Sequence, residues 1–287
     1  MNVALIGTGL VGFPMSEKLA ATGYSLTVFN RTPEKADPLK ELGVEIADSP
    51  AAAVQAADWI ILMLTDGDAI REALFSGQTP MDLQGKTILQ MGTILPEESL
   101  QFQKEVEKLG GDYLEAPVLG SIPDVQEQRL LILIGGRQDQ FHRSETLLRT
   151  FGSDLFWIGP VGQAAAVKLA LNQLIVSEMA AFSLSLGMVL GSGADPEMFM
   201  SVLRRSSLYA KTFDKKYHRM LERNFQNPNF PAKHLLKDLD LILQNARTHQ
   251  LSTEMLSAIR NDLVKTIRAG FSEDDYSAMY NTIHPEK

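Results

Sequence analysis

Three groups of residues have the types and spacing to do chemistry. Lys168 and Asn172 stand four apart in the run Gly159 to Leu190 (GPVGQAAAVKLALNQLIVSEMAAFSLSLGMVL), which has no glycine between Gly162 and Gly187 and no proline after Pro160. Such a run favours helix, and a spacing of four puts both side chains on one face, one turn apart. A lysine near the start of a mostly apolar helix is costly unless its head reaches water, a partner or a cavity. Two readings are therefore open. The ammonium snorkels out at a domain edge, or it faces a cleft beside Asn172, where it could stabilise and then protonate a developing negative charge. The second group is Gly7-Thr8-Gly9-Leu10-Val11-Gly12, and the third is Lys237-Asp238 within FPAKHLLKDLDL, a charge pair that reads as a solvated helical face.

The glycine group has the context that its spacing needs. Asn2 to Ile6 (NVALI) reads as a buried strand, and FPMSEKLAATG after Gly12 reads as a helix ending at Gly23. Between a strand and a helix, Gly7 serves the tight turn, Gly9 lets backbone approach a pyrophosphate, and Gly12 lets helix and strand pack closely. The helix N-terminus then offers unpaired N–H groups to the phosphates. A second strand, Ser25 to Phe29, ends at Asn30-Arg31-Thr32. An acidic residue there would bind a ribose 2′-hydroxyl, whereas the guanidinium of Arg31 suits a 2′-phosphate, so NADP is expected over NAD. Further strands are expected at Trp59 to Leu64, Thr87 to Met91, Leu130 to Ile134 and Leu155 to Ile158, and Asp112 to Glu115 leads into Ala116-Pro117-Val118-Leu119-Gly120-Ser121. Thr65 and Thr93 follow two of them and are candidate cofactor neighbours, or strand caps. A boundary is expected near residue 160, with helices from there on and an acidic loop, Gly270 to Ala278 (GFSEDDYSA), that suggests no chemistry.

Composition narrows the classes. The chain has 287 residues, enough for two domains, and a net charge of −8, which argues against a nucleic-acid or anionic-membrane partner. It has no cysteine, and its five histidines show no metal-ligand spacing, so neither disulfides, a thiolate nucleophile nor a metal site is expected. Lys168, Asn172 and Glu178 interrupt the long apolar run, so no membrane span is expected there. The chain begins on a strand, so no signal peptide is expected, and a cytoplasmic location follows by default.

Taken together, these motifs resemble the β-hydroxyacid dehydrogenases, a family that includes 3-hydroxyisobutyrate dehydrogenases and the glyoxylate, succinic-semialdehyde and tartronate-semialdehyde reductases. The resemblance extends from Val3 to Ala278. It rests on GTGLVG, Asn30-Arg31-Thr32, Thr93, Ala116-Pro117-Val118-x-Gly120-Ser121, Gly159-x-x-Gly162…Lys168…Asn172 and Lys237-Asp238-Leu239. It implies an α/β fold: an N-terminal Rossmann domain (1–162) with a doubly wound, mostly parallel sheet, and an all-α C-terminal domain (163–287), joined by a long interdomain helix. It implies Lys168 as the catalytic lysine with Asn172 beside it. Gly7 to Gly12, Asn30, Arg31, Thr32, Met63, Leu64, Thr65, Thr93 and Lys237 would bind NADP(H), with NAD(H) possible. Gly120 and Ser121 would hold the substrate carboxylate, with Asp238 next to the substrate, and the assembly would be a homodimer or homotetramer. The implied activity is reduction of a small aldehyde- or keto-acid, or oxidation of the matching β-hydroxy acid.

Two positions depart from the pattern. Leu119 replaces a serine that would donate to the substrate carboxylate, and Gly92 replaces another serine, changes expected to enlarge or grease the site. They keep open a non-catalytic NADP-binding protein, and the shared architecture leaves an imine reductase-like enzyme as a further alternative, against which Lys168 counts.

Overall fold

Short runs of mostly apolar residues form the central strands of a sheet, and both faces of these strands are buried, as a parallel sheet covered by helices requires, while the edge strands are more exposed. The computed structural model describes residues 1–77 and 80–286. In chain order the N-terminal part runs β1 (Asn2–Ile6), α1 (Gly12–Ala21), β2 (Ser25–Phe29), β3 (Glu45–Ile46), α2 (Pro50–Gln55), β4 (Trp59–Leu62), α3 (Gly67–Phe75), β5 (Thr87–Gln90), α4 (Pro96–Lys108), β6 (Asp112–Glu115), β7 (Val118–Leu119), α5 (Ile122–Gln126), β8 (Leu131–Gly135), α6 (Gln138–Leu148) and β9 (Asp154–Gly159). The strand order is β3-β2-β1-β4-β5-β6-β8-β7, with β9 added alongside β8. From β3 to β6 every pairing is parallel, and β8 then runs antiparallel to both β6 and β7.

Alternation assigns successive side chains to opposite faces. Val3, Leu5, Ile61 and Leu89 enter one buried cluster, while Ala4, Ile6, Ile60, Leu62 and Ile88 enter another. Burying each large side chain of this kind contributes about 1.5–3 kcal/mol. The strands expected at Trp59 to Leu64 and Thr87 to Met91 end one or two residues early. The amides of Met63 and Met91 still donate to Ile6 and Leu62 across the sheet, so the chain leaves the ladder gradually.

Helices follow: α7 (Gln163–Gly191), α8 (Pro196–Arg205), α9 (Lys211–Leu221), α10 (Ala232–Thr248), α11 (Glu254–Thr266) and α12 (Met279–Ile283). The chain divides into two compact units, Met1–Leu169 and Ala170 onward. The division falls inside α7, where the sequence reading set it at 162/163, and Lys287, the last residue of that reading, lies outside the described residues. In the second unit Phe182 of α7 stacks on Phe213 of α9 at 4.6 Å. Leu174, Leu184 and Met188 of α7 are exposed. By length and composition α7 could cross a membrane despite its three polar interruptions, and only 28% of its most apolar window is buried within the chain.

Candidate active site

The parallel register brings four strand ends level. Ile6 pairs with Phe29 and with Leu62, and Leu62 pairs with Gln90, so β1, β2, β4 and β5 release the chain side by side. Strand order reverses between β2-β1 and β4-β5, which makes this the switch point where an open α/β sheet forms its crevice. Gly7 leaves β1 with φ +105° and donates its N–H to the Phe29 carbonyl at 2.9 Å, and a Cβ there would collide with the Met63 carbonyl oxygen. A Cβ on Gly12 would overlap the Gly7 carbonyl. The fold itself demands both glycines.

Gly9 differs, because a Cβ there would meet nothing within 4 Å. The Thr8 hydroxyl is buried without a hydrogen-bond partner among the described residues, and the Thr8 amide donates to Asn30 Oδ1 at 3.0 Å. Asn30 Nδ2 in turn donates to the Thr32 carbonyl at 2.8 Å. Asn30 thus braces the glycine turn against the end of β2, a role that its neutrality alone did not reveal. Open space at Gly9, an orphaned hydroxyl at Thr8 and the start of α1 fit a dinucleotide pyrophosphate. Leu10 and Val11 lie on the same turn, Leu10 exposed and Val11 half-buried.

Around this turn, Met63 and Leu64 are half-buried and Thr65 is exposed at the end of β4, while Thr93 is half-buried beyond β5. Arg31 is 81% exposed and meets Glu72 at 3.3 Å, a surface pair worth little and readily given up to a phosphate. Gly92 is explained differently from the expectation that it enlarges the site. A Cβ there would collide with the Leu64 carbonyl oxygen, and the Gln90 side chain folds back to accept the Gly92 amide at 2.5 Å. In this chain the glycine lets two strand ends approach.

Gly120 has φ +135°, and a side chain there would collide with Leu130. Ser121 caps α5, with its amide and hydroxyl both donating to Asp124 Oδ2, at 2.8 and 3.1 Å. The Ser121 donors that the resemblance assigned to a substrate carboxylate are therefore held by a carboxylate of the chain itself. Leu119, on β7, is half-buried.

Lys168 lies in the second turn of α7 and is 8% exposed. One turn on, Asn172 is 1% exposed, and its Nδ2 donates to Asp238 Oδ2 at 2.6 Å. Asp238 is buried on α10, with Lys237 Nζ 2.6 Å from its Oδ1. The expected solvated face is thus corrected: Leu235, Leu239 and Ile242 bury the stripe of α10 that Asp238 shares. His234, one turn before Asp238, has its pKa lowered by burial, with Lys233 and Lys237 acting in the same direction.

Two carboxylates escaped the sequence reading. Glu115 ends β6 fully buried, and its Oε1 accepts the amides of Gly162 and Ala164 at 2.8 Å and of Ala165 at 3.3 Å. Asp275, in the supposedly idle acidic loop, is fully buried and takes Lys216 Nζ on both oxygens at 2.8 and 2.6 Å. The amides of Ala232 and Lys233, at the start of α10, donate to the carbonyls of Asp274 and Ser272, so that loop also caps the helix bearing Asp238.

Fold and turn together define a dinucleotide-binding Rossmann domain followed by a helical C-terminal domain. Residues 2–159 match the NAD-binding domain of 6-phosphogluconate dehydrogenase, and residues 162–283 match the NAD-binding domain of NADP-dependent 3-hydroxyisobutyrate dehydrogenase. The chain is 34% identical to the 2-hydroxy-3-oxopropionate reductase of Escherichia coli (strain K12), covering 99% of this chain and 97% of the relative. It is 30% identical to glyoxylate/succinic semialdehyde reductase 1 of Arabidopsis thaliana, over 99% and 98%. Its fold matches the crystal structure of 3-hydroxyisobutyrate dehydrogenase from Salmonella typhimurium with a TM-score of 0.87 at 19% identity, covering 98% of this chain and 99% of that one. The chain belongs to the β-hydroxyacid dehydrogenase family.

Proposed function

We propose that the chain is an NADPH-dependent reductase of a small aldehyde- or keto-acid, of the glyoxylate, succinic semialdehyde or 3-hydroxyisobutyrate type, with Lys168 as general acid. The observation that carries this reading is a lysine only 8% exposed, one helical turn before an asparagine that is itself hydrogen-bonded to a buried carboxylate. When bound, the dinucleotide supplies the hydride. Lys168 Nζ stabilises the negative charge developing on the carbonyl oxygen and gives it a proton. Asn172 is held by Asp238 through Nδ2, which turns Oδ1 into the acceptor end for the Lys168 ammonium or a substrate hydroxyl. Gly120 and Ser121 meet the substrate carboxylate, which takes over the donors now given to Asp124.

Arg31 favours NADPH over NADH, because a guanidinium in place of a carboxylate at the end of β2 pairs with a 2′-phosphate. The exposed Leu174, Leu184 and Met188 make α7 the contact between copies in a homodimer or homotetramer. A cytoplasmic setting suits that reading, and light scattering of the purified protein tests the assembly.

The enzymatic test follows oxidation of NADPH, then NADH, with glyoxylate, succinic semialdehyde, tartronate semialdehyde and methylmalonate semialdehyde. Turnover with NADPH preferred supports the reading. Lys168→Ala should then lose roughly a hundredfold or more in kcat with NADPH affinity little changed. Near-wild-type turnover by that variant overturns the role of the lysine. Tight NADPH binding with no substrate turned over favours the non-catalytic alternative.

A further inference from the structure

The start of α7 lacks the residues that ordinarily begin a helix. The turn before it, Gly159-Pro160-Val161-Gly162, offers no serine, threonine, aspartate or asparagine, and Gly162 sits at φ +96°. Its first amides are satisfied instead from far away in sequence. Glu115 Oε1, at the end of β6, accepts from Gly162, Ala164 and Ala165, while Glu115 Oε2 accepts from Ser99 Oγ of α4 at 2.6 Å. Ser99 Oγ is also 3.0 Å from the Tyr113 hydroxyl. On the other side, Glu115 pairs across the sheet with Gly135 of β8, where a Cβ would overlap the Glu115 carboxylate. Strand, neighbouring strand, helix α4 and the start of α7 therefore build one pocket around one carboxylate.

A local cap stabilises a helix without saying where it points. A cap supplied by a strand end fixes the first turn of the helix to the sheet, and Lys168 is the next turn along. We propose that Glu115 is a positioning residue for Lys168: by holding the first amides of α7 on the end of β6, it sets where the lysine ammonium lies. The inference rests on the reading of Lys168 as the general acid. Errors of about 1 Å at a reacting group can cost about a hundredfold in rate, so loosening this anchor should show in kcat.

The test compares Glu115→Ala, which removes the acceptor, with Glu115→Gln, which keeps Oε1 for the amides. Glu115→Ala should lower kcat about tenfold or more while the NADPH dissociation constant changes less than about twofold, and Glu115→Gln should restore most of kcat. A cap that serves only stability would leave kcat of the folded Ala variant unchanged, and that result overturns the proposal. Equal losses of kcat in Gln and Ala variants also overturn it. A readout free of turnover separates this from failure of the catalytic reading. In protein labelled with ¹³C at lysine Cε, and with Lys168→Ala assigning the signal, the Lys168 resonance should stay dispersed in Glu115→Gln and move toward the exposed-lysine position in Glu115→Ala. Unmoved resonances in both variants sink the proposal whether or not any substrate is turned over.

Discussion

Glu115 and Asp275 are both fully buried carboxylates at the edges of helices, yet the chain satisfies them in opposite ways. Glu115 is solvated by neutral donors, three helix-start amides and a serine hydroxyl. Asp275 is matched by a full charge, the Lys216 ammonium, and accepts the Ser277 amide and hydroxyl besides. Burial raises the pKa of Glu115, and hydrogen bonds from Ser99 and the backbone only partly oppose it. Burial also lowers the pKa of Lys216, against the pull of Asp275. Dipoles suffice where a carboxylate must orient one helix. An ion pair is used where α9 must be tied to the segment leading into α12, and there each partner depends on the other.

That difference predicts the largest effect. Lys216→Met strands a buried carboxylate and should cost about 3–5 kcal/mol in urea denaturation. Lys216→Met combined with Asp275→Asn should cost less than Lys216→Met alone, because no unpaired charge remains. A double variant as unstable as the sum of the singles would show that the pair is not coupled. Glu115→Ala should cost less, about 1–3 kcal/mol, since it leaves neutral groups unpaired rather than a charge. A cost equal to that of Lys216→Met would erase the contrast.

The glycines sharpen the same distinction between groups that serve the fold and groups that serve a ligand. Gly12→Ala should destabilise by about 1–3 kcal/mol through overlap with the Gly7 carbonyl. Gly9→Ala has space for its methyl and should leave the melting temperature nearly unchanged while weakening NADPH binding about tenfold or more. If fluorescence titration shows Gly9→Ala binding NADPH as the parent does, the pyrophosphate does not lie against that turn.

The N-terminal half was legible because its signals are local. Apolar runs near a glycine gave β1 and β2 to the residue, and the glycine turn needs only its own neighbours. The shared face of Lys168 and Asn172 was legible by helical spacing, while the roles proposed for them came from the resemblance alone. Glu115 and Asp275 were not legible, because what makes each notable is a partner 49 or 59 residues away, and an acidic residue in isolation reads as solvated. Asp238 was named beside the substrate by the resemblance alone, and its partner 66 residues away was not legible. The same holds for Gly92, whose reason is the carbonyl of Leu64 on a neighbouring strand end.

The smallest predicted effect is the most specific to Glu115, because its sign follows from the direction of the shift. A carboxyl whose pKa is raised by folding holds its proton longer in the native chain than in the unfolded one. Its contribution to stability is therefore full below the ordinary glutamate value of 4.5 and is lost as pH climbs from there through the raised native value. Glutamine cannot titrate, so the stability difference between Glu115→Gln and the parent should tilt toward the variant as pH rises from about 4 to 8. Lys216 and Asp275 are untouched by this substitution and cancel in the comparison. A difference that stays flat with pH, or tilts the other way, would mean that the amides of α7 solvate the Glu115 carboxylate as well as water does, and the contrast with Asp275 would then lie in geometry alone.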